Sequence, residues 1–307
     1  MSHIYSESTL PSSATPEQLK LYSWLPNEPW RAAVFLLHGF RAHTRYNFLR
    51  NDVNGARRTY GEGTTPQDTS LVRELNLRNI AVFGHDHVGH GQSTGLRAYF
   101  PSFQTLVDDV LSHVKHIDAQ HELSTKKMPV FLIGHSMGGT LCILAAQEAP
   151  HLFTGVALSS AATEPPASMF GLKGRINYSL SGITSALIPK MELVQLPKSI
   201  DPEQQALFDG DELNCKVGIR ARVGREFLNT YSHISQNADK FNTPFLSVSG
   251  EHDTLVNPLA AKRFYDKAPS TDKTLHTAVG RWHNLFAEKG KEDMWNLFTE
   301  WVDQRIK

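Results

Sequence analysis

The sequence predicts an α/β fold: a mostly parallel sheet flanked by helices, with an inserted helical cap. Short apolar runs of strand length recur along the chain, and each is followed by a turn or helix signal. Such alternation is typical of a parallel sheet that is buried on both faces. The predicted strands are Ala32 to Leu37, Ile80 to Phe83, Val130 to Ile133, Val156 to Leu158 and Phe245 to Val248.

A helix is predicted after Ser102, whose hydroxyl is a suitable N-cap. Apolar residues follow it at helical spacing and define one face that can pack on the sheet. These residues are Phe103, Leu106, Val107, Val110, Leu111, Val114 and Ile117.

Two segments interrupt the alternation of strands and helices. Asn51 to Ser70 is polar and turn-rich, which predicts an extended surface loop. Ala161 to about Arg225 contains five prolines and predicts the cap. We expect a single domain over residues 1–307, with a core of about 17–160 and 226–307.

The composition argues against several classes of protein. The formal net charge is zero and the sequence pI is about 7.3, so nothing attracts nucleic acid over a distance. Two cysteines are too few for a disulfide framework, which favours a reducing compartment. Without a signal core or a run of ~20 apolar residues, we expect a cytoplasmic protein, soluble or peripheral on intracellular membranes. The sequence does not indicate an oligomeric state.

The motif from Gly134 to Gly138 (GHSMG) makes Ser136 the candidate nucleophile. Such a motif arises by chance in about one chain in ten of this length. Here a predicted strand precedes it and a helix-forming run, Thr140 to Ala146, follows it. A strand-to-helix elbow strains the serine backbone and exposes the hydroxyl, and the flanking glycines relieve crowding. The alternative is an ordinary glycine-rich turn with a capping serine.

A serine nucleophile needs a general base and an orienting carboxylate. In enzymes whose nucleophilic serine lies in such an elbow, both partners follow the serine in the sequence, and the carboxylate precedes the histidine. Asp253, just after the strand that ends near Gly250, is the preferred carboxylate, and Glu251 is the alternative.

The chain has fifteen histidines, so the candidate base has to be chosen by its position in the sequence. His283 follows a short predicted strand, Lys273 to Val279, and precedes the helical run Leu285 to Trp301. It is therefore the candidate base. His276 lies within the strand, where packing or a surface hydrogen bond is the expected role.

His113 and His116 stand three residues apart on the predicted helix. That spacing could suit a metal, but the sequence offers no carboxylate or third ligand nearby. We expect both side chains to lie on a solvated face and no metal site to form.

Acyl transfer also needs backbone N–H donors for the oxyanion. Met137, directly after the nucleophile, supplies one. The pair His38-Gly39 follows a predicted strand, so the N–H of Phe40 is the expected second donor. His38 would then brace this loop rather than act as a base.

Together these motifs resemble the monoglyceride lipase family, in the serine aminopeptidase/lysophospholipase-like subfamily of α/β hydrolases. The resemblance spans about Leu19 to Val302 and is strongest in residues 85–93 (HDHVGHGQS) and 129–139 (PVFLIGHSMGG). It implies an eight-stranded core, the triad of Ser136, Asp253 and His283, and hydrolysis of monoacylglycerols to fatty acid and glycerol without metal or cofactor.

The chain departs from the family pattern in three features: its His-Gly loop, its cysteines, and the segment Asn51 to Ser70, which resembles an insertion relative to the animal enzymes. The usual His-Gly-Xaa-Gly-Glu-His loop has Arg41 for its second glycine and Ala42 for its acidic residue. The cysteines often found near the family's site are mostly absent, Val256 standing where one is expected and Cys215 matching another.

The cap is expected to select the substrate. Apolar residues at helical spacing predict a helix that packs on the core, or a lid that contacts lipid and admits an acyl chain, and the two are compatible. The alternatives to a monoacylglycerol are a lysophospholipid, a short-chain ester, an acyl thioester, or a non-catalytic binding protein. The cap residues are Ile176, Leu180, Ile183, Leu187 and Ile188.

Overall fold

The computed structural model describes residues 3–49, 70–165 and 181–306. The predicted surface loop of residues 51–70 falls outside these ranges except for its last residue. Ile176 and Leu180 of the predicted cap helix also lie outside the described residues.

Eight strands form one sheet in the order β1-β2-β4-β3-β5-β6-β9-β10. Only β2 runs against the others, since it pairs antiparallel with both β1 and β4. The predicted mostly parallel, eight-stranded sheet is confirmed. The strands are β1 (His3–Pro11), β2 (Gln18–Pro26), β3 (Ala32–Leu37), β4 (Ile80–Asp86), β5 (Val130–His135), β6 (Gly155–Ser159), β9 (Phe245–Gly250) and β10 (Lys273–Ala278).

The central strands are buried because both faces of the sheet are covered. In β3, Phe35 and Leu37 pack into one apolar cluster, and Val34 and Leu36 into the other. Each such side chain contributes roughly 1.5–3 kcal/mol through burial. Continuous apolar runs, rather than alternating ones, follow from this arrangement.

Eight helices have described bounds, and residues 181–187 are helical as well. None of them, in the described ranges, combines the length and hydropathy that bilayer crossing requires. The eight are α1 (Thr44–Phe48), α2 (Leu71–Asn76), α3 (Phe103–His121), α4 (Met137–Glu148), α5 (Pro202–Gly210), α6 (Ala221–Asn237), α7 (Pro258–Lys267) and α8 (Lys291–Asp303).

The predicted start of the last helix was wrong. The apolar run from Leu285 predicts a helix to Trp301, but α8 begins only at Lys291. Gly290, at φ 76°, turns the chain before it. Leu285 and Phe286 pack instead as loop residues in a core cluster.

The segment predicted as the cap lies between β6 and α6. Its described part includes α5 and a two-stranded antiparallel sheet of β7 (Glu192–Val194) and β8 (Ile219–Arg220). The predicted boundary near Arg225 falls inside α6, which is unbroken from Ala221 to Asn237.

Candidate active site

The predicted site residues follow the carboxyl ends of four parallel strands. Phe40 follows β3, Ser136 follows β5, and Asp253 and His283 follow β9 and β10. Because β3 pairs with β5 and β9 pairs with β10, with β6 between the pairs, all four lie along one edge of the sheet. Ligands bind at this edge in open α/β sheets.

Ser136 occupies the strained elbow that the sequence predicts. Its backbone has φ 54° and ψ −115°, a conformation that costs about 1–3 kcal/mol outside glycine. A Cβ on Gly134 would lie 2.3 Å from the carbonyl oxygen of Gly138, and one on Gly138 would lie 1.8 Å from that of Leu37. The two glycines therefore let α4 pack against the ends of β3 and β5.

His283 and Asp253 form a short, buried contact. Nδ1 of His283 lies 2.7 Å from Oδ2 of Asp253, and both side chains are nearly inaccessible to solvent. The other carboxylate oxygen accepts the backbone N–H groups of Leu255 at 2.9 Å and Val256 at 3.0 Å. A carboxylate held in this way fixes the imidazole and leaves Nε2 for a reacting group.

Glu251, the alternative carboxylate, points elsewhere. Its side chain is 45% exposed and accepts the backbone N–H of Gly280 at 2.9 Å. A Cβ on Gly250 would lie 1.7 Å from the carbonyl oxygen of Trp282, so the end of β9 touches the loop that carries His283. That close approach brings Asp253 to the histidine.

The elbow and the His283–Asp253 pair are adjacent. The ring of His135, the residue before Ser136, lies 4.9 Å from that of His283, centroid to centroid. No hydrogen bond joins Ser136 Oγ to His283 among the described contacts. Such bonds are often long before substrate binds.

The loop after β3 is fixed on both sides of Gly39. Its N–H donates to Asn47 Oδ1 at 2.9 Å, and its carbonyl oxygen accepts from His38 Nδ1 at 2.8 Å. Because a trans peptide points its N–H away from its carbonyl oxygen, the Phe40 N–H faces away from the His38 ring. Within the described residues, neither this N–H nor that of Met137 has an acceptor, which suits two oxyanion donors.

A row of buried histidines lies behind this loop. The His87 N–H donates to His38 Nε2 at 2.9 Å, so His38 is neutral and carries its proton on Nδ1. His87 Nε2 donates to the His38 carbonyl oxygen at 3.3 Å. His87 Nδ1 therefore accepts from His85 Nε2, and His85 Nδ1 from His113 Nδ1, both at 3.1 Å. One tautomer of each ring satisfies every contact.

Burial keeps these rings neutral. It lowers the pKa of His85 to about 4, and that of His38, His87 and His113 well below the usual histidine value. His38 thus braces the loop, as expected, and acts through hydrogen bonds rather than charge.

The prediction that His113 is solvated was wrong. Its side chain is 1% exposed because it lies on the same face of α3 as Val110, Val114 and Ile117, which pack on the sheet. His116 is partly exposed and bonds Gln120 at 3.0 Å. Within the described residues, no group of three or more His, Cys, Asp or Glu is arranged to hold a metal ion.

Sequence reasoning missed the role of Asp86, at the end of β4. Its buried carboxylate accepts the hydroxyl of Tyr22 at 2.8 Å and the backbone N–H groups of Thr44 at 2.9 Å and Gln92 at 2.8 Å. It thereby joins Thr44, in α1, to the loop after β4. The only available signal is its place in the HDHVGHGQS motif.

Both cysteines are buried, and burial raises the pKa of the Cys142 and Cys215 thiols. Little thiolate forms on either at neutral pH, so neither has the environment of a reactive cysteine.

The cap presents apolar side chains to solvent. Ile183 is 59% exposed and Leu187 is 76% exposed, on the helical segment 181–187. Further exposed apolar residues follow along the cap, namely Ile188, Met191, Leu193, Val194 and Ile200.

Comparison with known proteins agrees with this architecture. The family described as serine aminopeptidase, S33, matches residues 65–290. A rat protein named monoglyceride lipase is 31% identical, over 92% of this chain and 86% of its own length. Phospholipase YtpA of Bacillus subtilis is 28% identical, over 93% of this chain and 100% of its own.

Among solved structures, a soluble variant of monoglyceride lipase from Saccharomyces cerevisiae, in complex with a substrate analog, superimposes with a TM-score of 0.75. The match covers 99% of this chain and 96% of the yeast chain at 20% identity. At that identity the likeness shows the fold, which is that of the α/β hydrolases.

Proposed function

This chain belongs to the serine aminopeptidase, S33, family, and we propose that it cleaves monoacylglycerols to a fatty acid and glycerol, with Ser136 as its nucleophile. The observation that carries the proposal is the 2.7 Å contact between His283 and Asp253. It lies beside the strained elbow, where a serine, a base and an orienting carboxylate can act together.

The first half of the reaction transfers the acyl group to the enzyme. Ser136 Oγ attacks the ester carbonyl carbon as its proton passes to His283 Nε2. Asp253 stabilises the imidazolium, and the N–H groups of Met137 and Phe40 hold the oxyanion. The intermediate collapses, the ester C–O bond breaks, and glycerol leaves with the proton from His283.

The second half releases the fatty acid. Water attacks the acyl carbon while His283 Nε2 takes its proton, and the same two N–H groups hold the second oxyanion. Collapse of that intermediate breaks the bond to Ser136 Oγ. The serine regains its proton from His283, which restores the neutral base.

A lipid ester suits the cap better than a small polar ester does. Exposed Ile183 and Leu187 offer apolar surface where an acyl chain arrives from a lipid aggregate. The relatives named above act on more than one headgroup according to their names, so the headgroup is the feature to test.

A hydrolysis panel tests the substrate. Monoacylglycerols of varied chain length, lysophosphatidylcholine, diacylglycerol and p-nitrophenyl butyrate are compared at equal concentration. We expect kcat/KM for a monoacylglycerol to exceed that for lysophosphatidylcholine by about tenfold or more, since about 1.4 kcal/mol of headgroup discrimination suffices. A clear preference for lysophosphatidylcholine would make the protein a lysophospholipase with the same mechanism.

A second panel tests the cap surface. Replacing Ile183 and Leu187 together by Asn should lower hydrolysis of monoacylglycerol in phosphatidylcholine vesicles several-fold, because apolar area is lost at the lipid contact. Hydrolysis of p-nitrophenyl butyrate should not change. Ile4→Asn, at a 55% exposed apolar residue of β1, is the matched control. An equal loss on both substrates would show that the cap residues support folding rather than lipid contact.

A further inference from the structure

Arg41 has a backbone conformation that its side chain makes costly. It directly follows Phe40, and its φ is 68°, in the left-handed region that favours glycine. An arginine here therefore needs contacts that offset the strain.

Those contacts come from the cap. The Arg41 carbonyl oxygen accepts the N–H of Cys215 at 2.7 Å, and Arg41 Nε donates to the Cys215 carbonyl oxygen at 2.7 Å. The guanidinium also lies 5.0 Å from the ring centroid of Phe208, in α5. Arg41 thus contacts the cap at two places, Cys215 through its backbone and side chain and Phe208 through its side chain.

Charge in the cap supports the same contact. Burial lowers the pKa of the Arg41 guanidinium, whereas the carboxylates of Asp209 and Glu192, both in the cap, act in the opposite direction. The half-buried cation is thus compensated from the cap rather than from the core.

The second oxyanion donor lies between two supports. On the core side, His38 binds the carbonyl oxygen of the Gly39–Phe40 peptide, which also carries the Phe40 N–H, and Asn47 fixes the preceding peptide through the Gly39 N–H. On the cap side, the next residue is Arg41. We infer that Arg41 is a positioning residue that couples the cap to the Phe40 N–H, so that the oxyanion hole is complete only when the cap is seated. This inference rests on the proposed function.

Arg97 provides a matched control. It also joins core to cap, because its guanidinium donates to the carbonyl oxygen of Leu213 and, at 2.8 Å, to that of Gly91. Within the described residues, no hydrogen bond or ion pair joins it to the loop after β3. General loosening of the cap should therefore follow from either substitution, and loss of the oxyanion donor only from a change at Arg41.

The experiment measures kcat and KM on p-nitrophenyl butyrate, and inhibition by an alkyl trifluoromethyl ketone, whose serine adduct carries an oxyanion. For Arg41→Gly we expect kcat to fall about tenfold to a hundredfold, the inhibition constant to rise by a similar factor, and KM to stay within about twofold. Glycine suits the positive φ, so this variant should fold. Arg41→Lys keeps the charge without the Nε donor and should fall in between.

For Arg97→Gln, kcat and the inhibition constant should stay within about threefold of wild type. Wild-type values in Arg41→Gly, or an equal loss in Arg97→Gln, would overturn the coupling while leaving Ser136-dependent hydrolysis intact. A wild-type protein that hydrolyses no ester would overturn the proposed function, and the coupling with it.

Discussion

Two sets of histidines lie near the same sheet edge, and they differ in their partners. His283 faces the carboxylate of Asp253, and its Nε2 has no acceptor or donor among the described residues. The buried row of His38, His85 and His87 bonds to other rings and to backbone groups instead. The first arrangement allows a ring to gain and lose a proton. The second arrangement holds each ring neutral and in one tautomer.

The difference shows that residue type does not decide the role of a histidine. A carboxylate at 2.7 Å stabilises an imidazolium. Rings that alternate as donor and acceptor have no place for a second proton, and burial opposes the charge as well. The candidate base and the neutral histidines behind it are therefore distinguished by their surroundings.

The largest effect should come from removing the negative charge of Asp253, the carboxylate that His283 contacts. Asp253→Asn keeps the shape but not the carboxylate, so the ring loses its preferred tautomer and its stabilised cation. We expect kcat to fall about 10⁴-fold on p-nitrophenyl butyrate. Glu251→Gln, two residues away and exposed, should keep kcat within about threefold. The reverse result would assign the orienting role to Glu251.

The stability of the folded protein should fall at acid pH, because the buried histidines are neutral. His85 in this row, and His90, a buried ring whose centroid lies 5.5 Å from that of His38, have pKa values of about 4 in the folded protein, lowered by burial, against about 6.5 unfolded. Between those values the unfolded chain binds more protons, so stability is full above pH 6.5 and is lost as pH falls towards 4. Each ring contributes roughly 3 kcal/mol to that loss.

Asp109 opposes this trend, because burial raises the pKa of its carboxyl to about 6. Its contribution is present at low pH and is lost as pH rises through 6. Urea unfolding at pH 7.5, 6 and 5 measures the balance, and Asp109→Asn should steepen the decline towards acid. A protein as stable at pH 5 as at pH 7.5 would show that the row accepts protons.

A smaller effect should come from removing one histidine of the buried row. His38→Leu leaves the Gly39 carbonyl oxygen without its donor and the His87 N–H without its acceptor. We expect about 1–3 kcal/mol lower stability and a kcat about tenfold lower, since the Phe40 N–H loses its support. His276→Leu, in half-buried β10, is the control and should leave kcat within about twofold. Equal effects of the two variants would remove any special role from His38.

The sequence predicts the strands and the elbow well because their signals are local. The apolar run before Gly134 and the glycines around Ser136 are contiguous, and the structure confirms both the strand and the strain. Asp253 and His283 are each predictable from a strand end. That His283 contacts Asp253 rather than Glu251 depends on the packing of Gly250 on Trp282, a long-range contact that the sequence does not report.

Other features depend on contacts between distant segments. The burial of His113 follows from the packing of α3 on the sheet, and its ring meets His85 from another element. The N-terminal hairpin of β1 and β2 is also missed, although Leu19 and Leu21 alternate with polar residues in the period of a strand. The hydrogen bond between Arg41 and Cys215 joins residues 174 positions apart, so no local sequence pattern predicts it.

The most direct test of the central claim is covalent labelling by a fluorophosphonate, followed by mass mapping of the adduct. The wild-type protein should label in one place, on Ser136, and Ser136→Ala should not label at all. An inert wild-type protein would make this a binding protein with a hydrolase fold. An adduct on another serine, or unchanged labelling of Ser136→Ala, would contradict the assignment of the nucleophile.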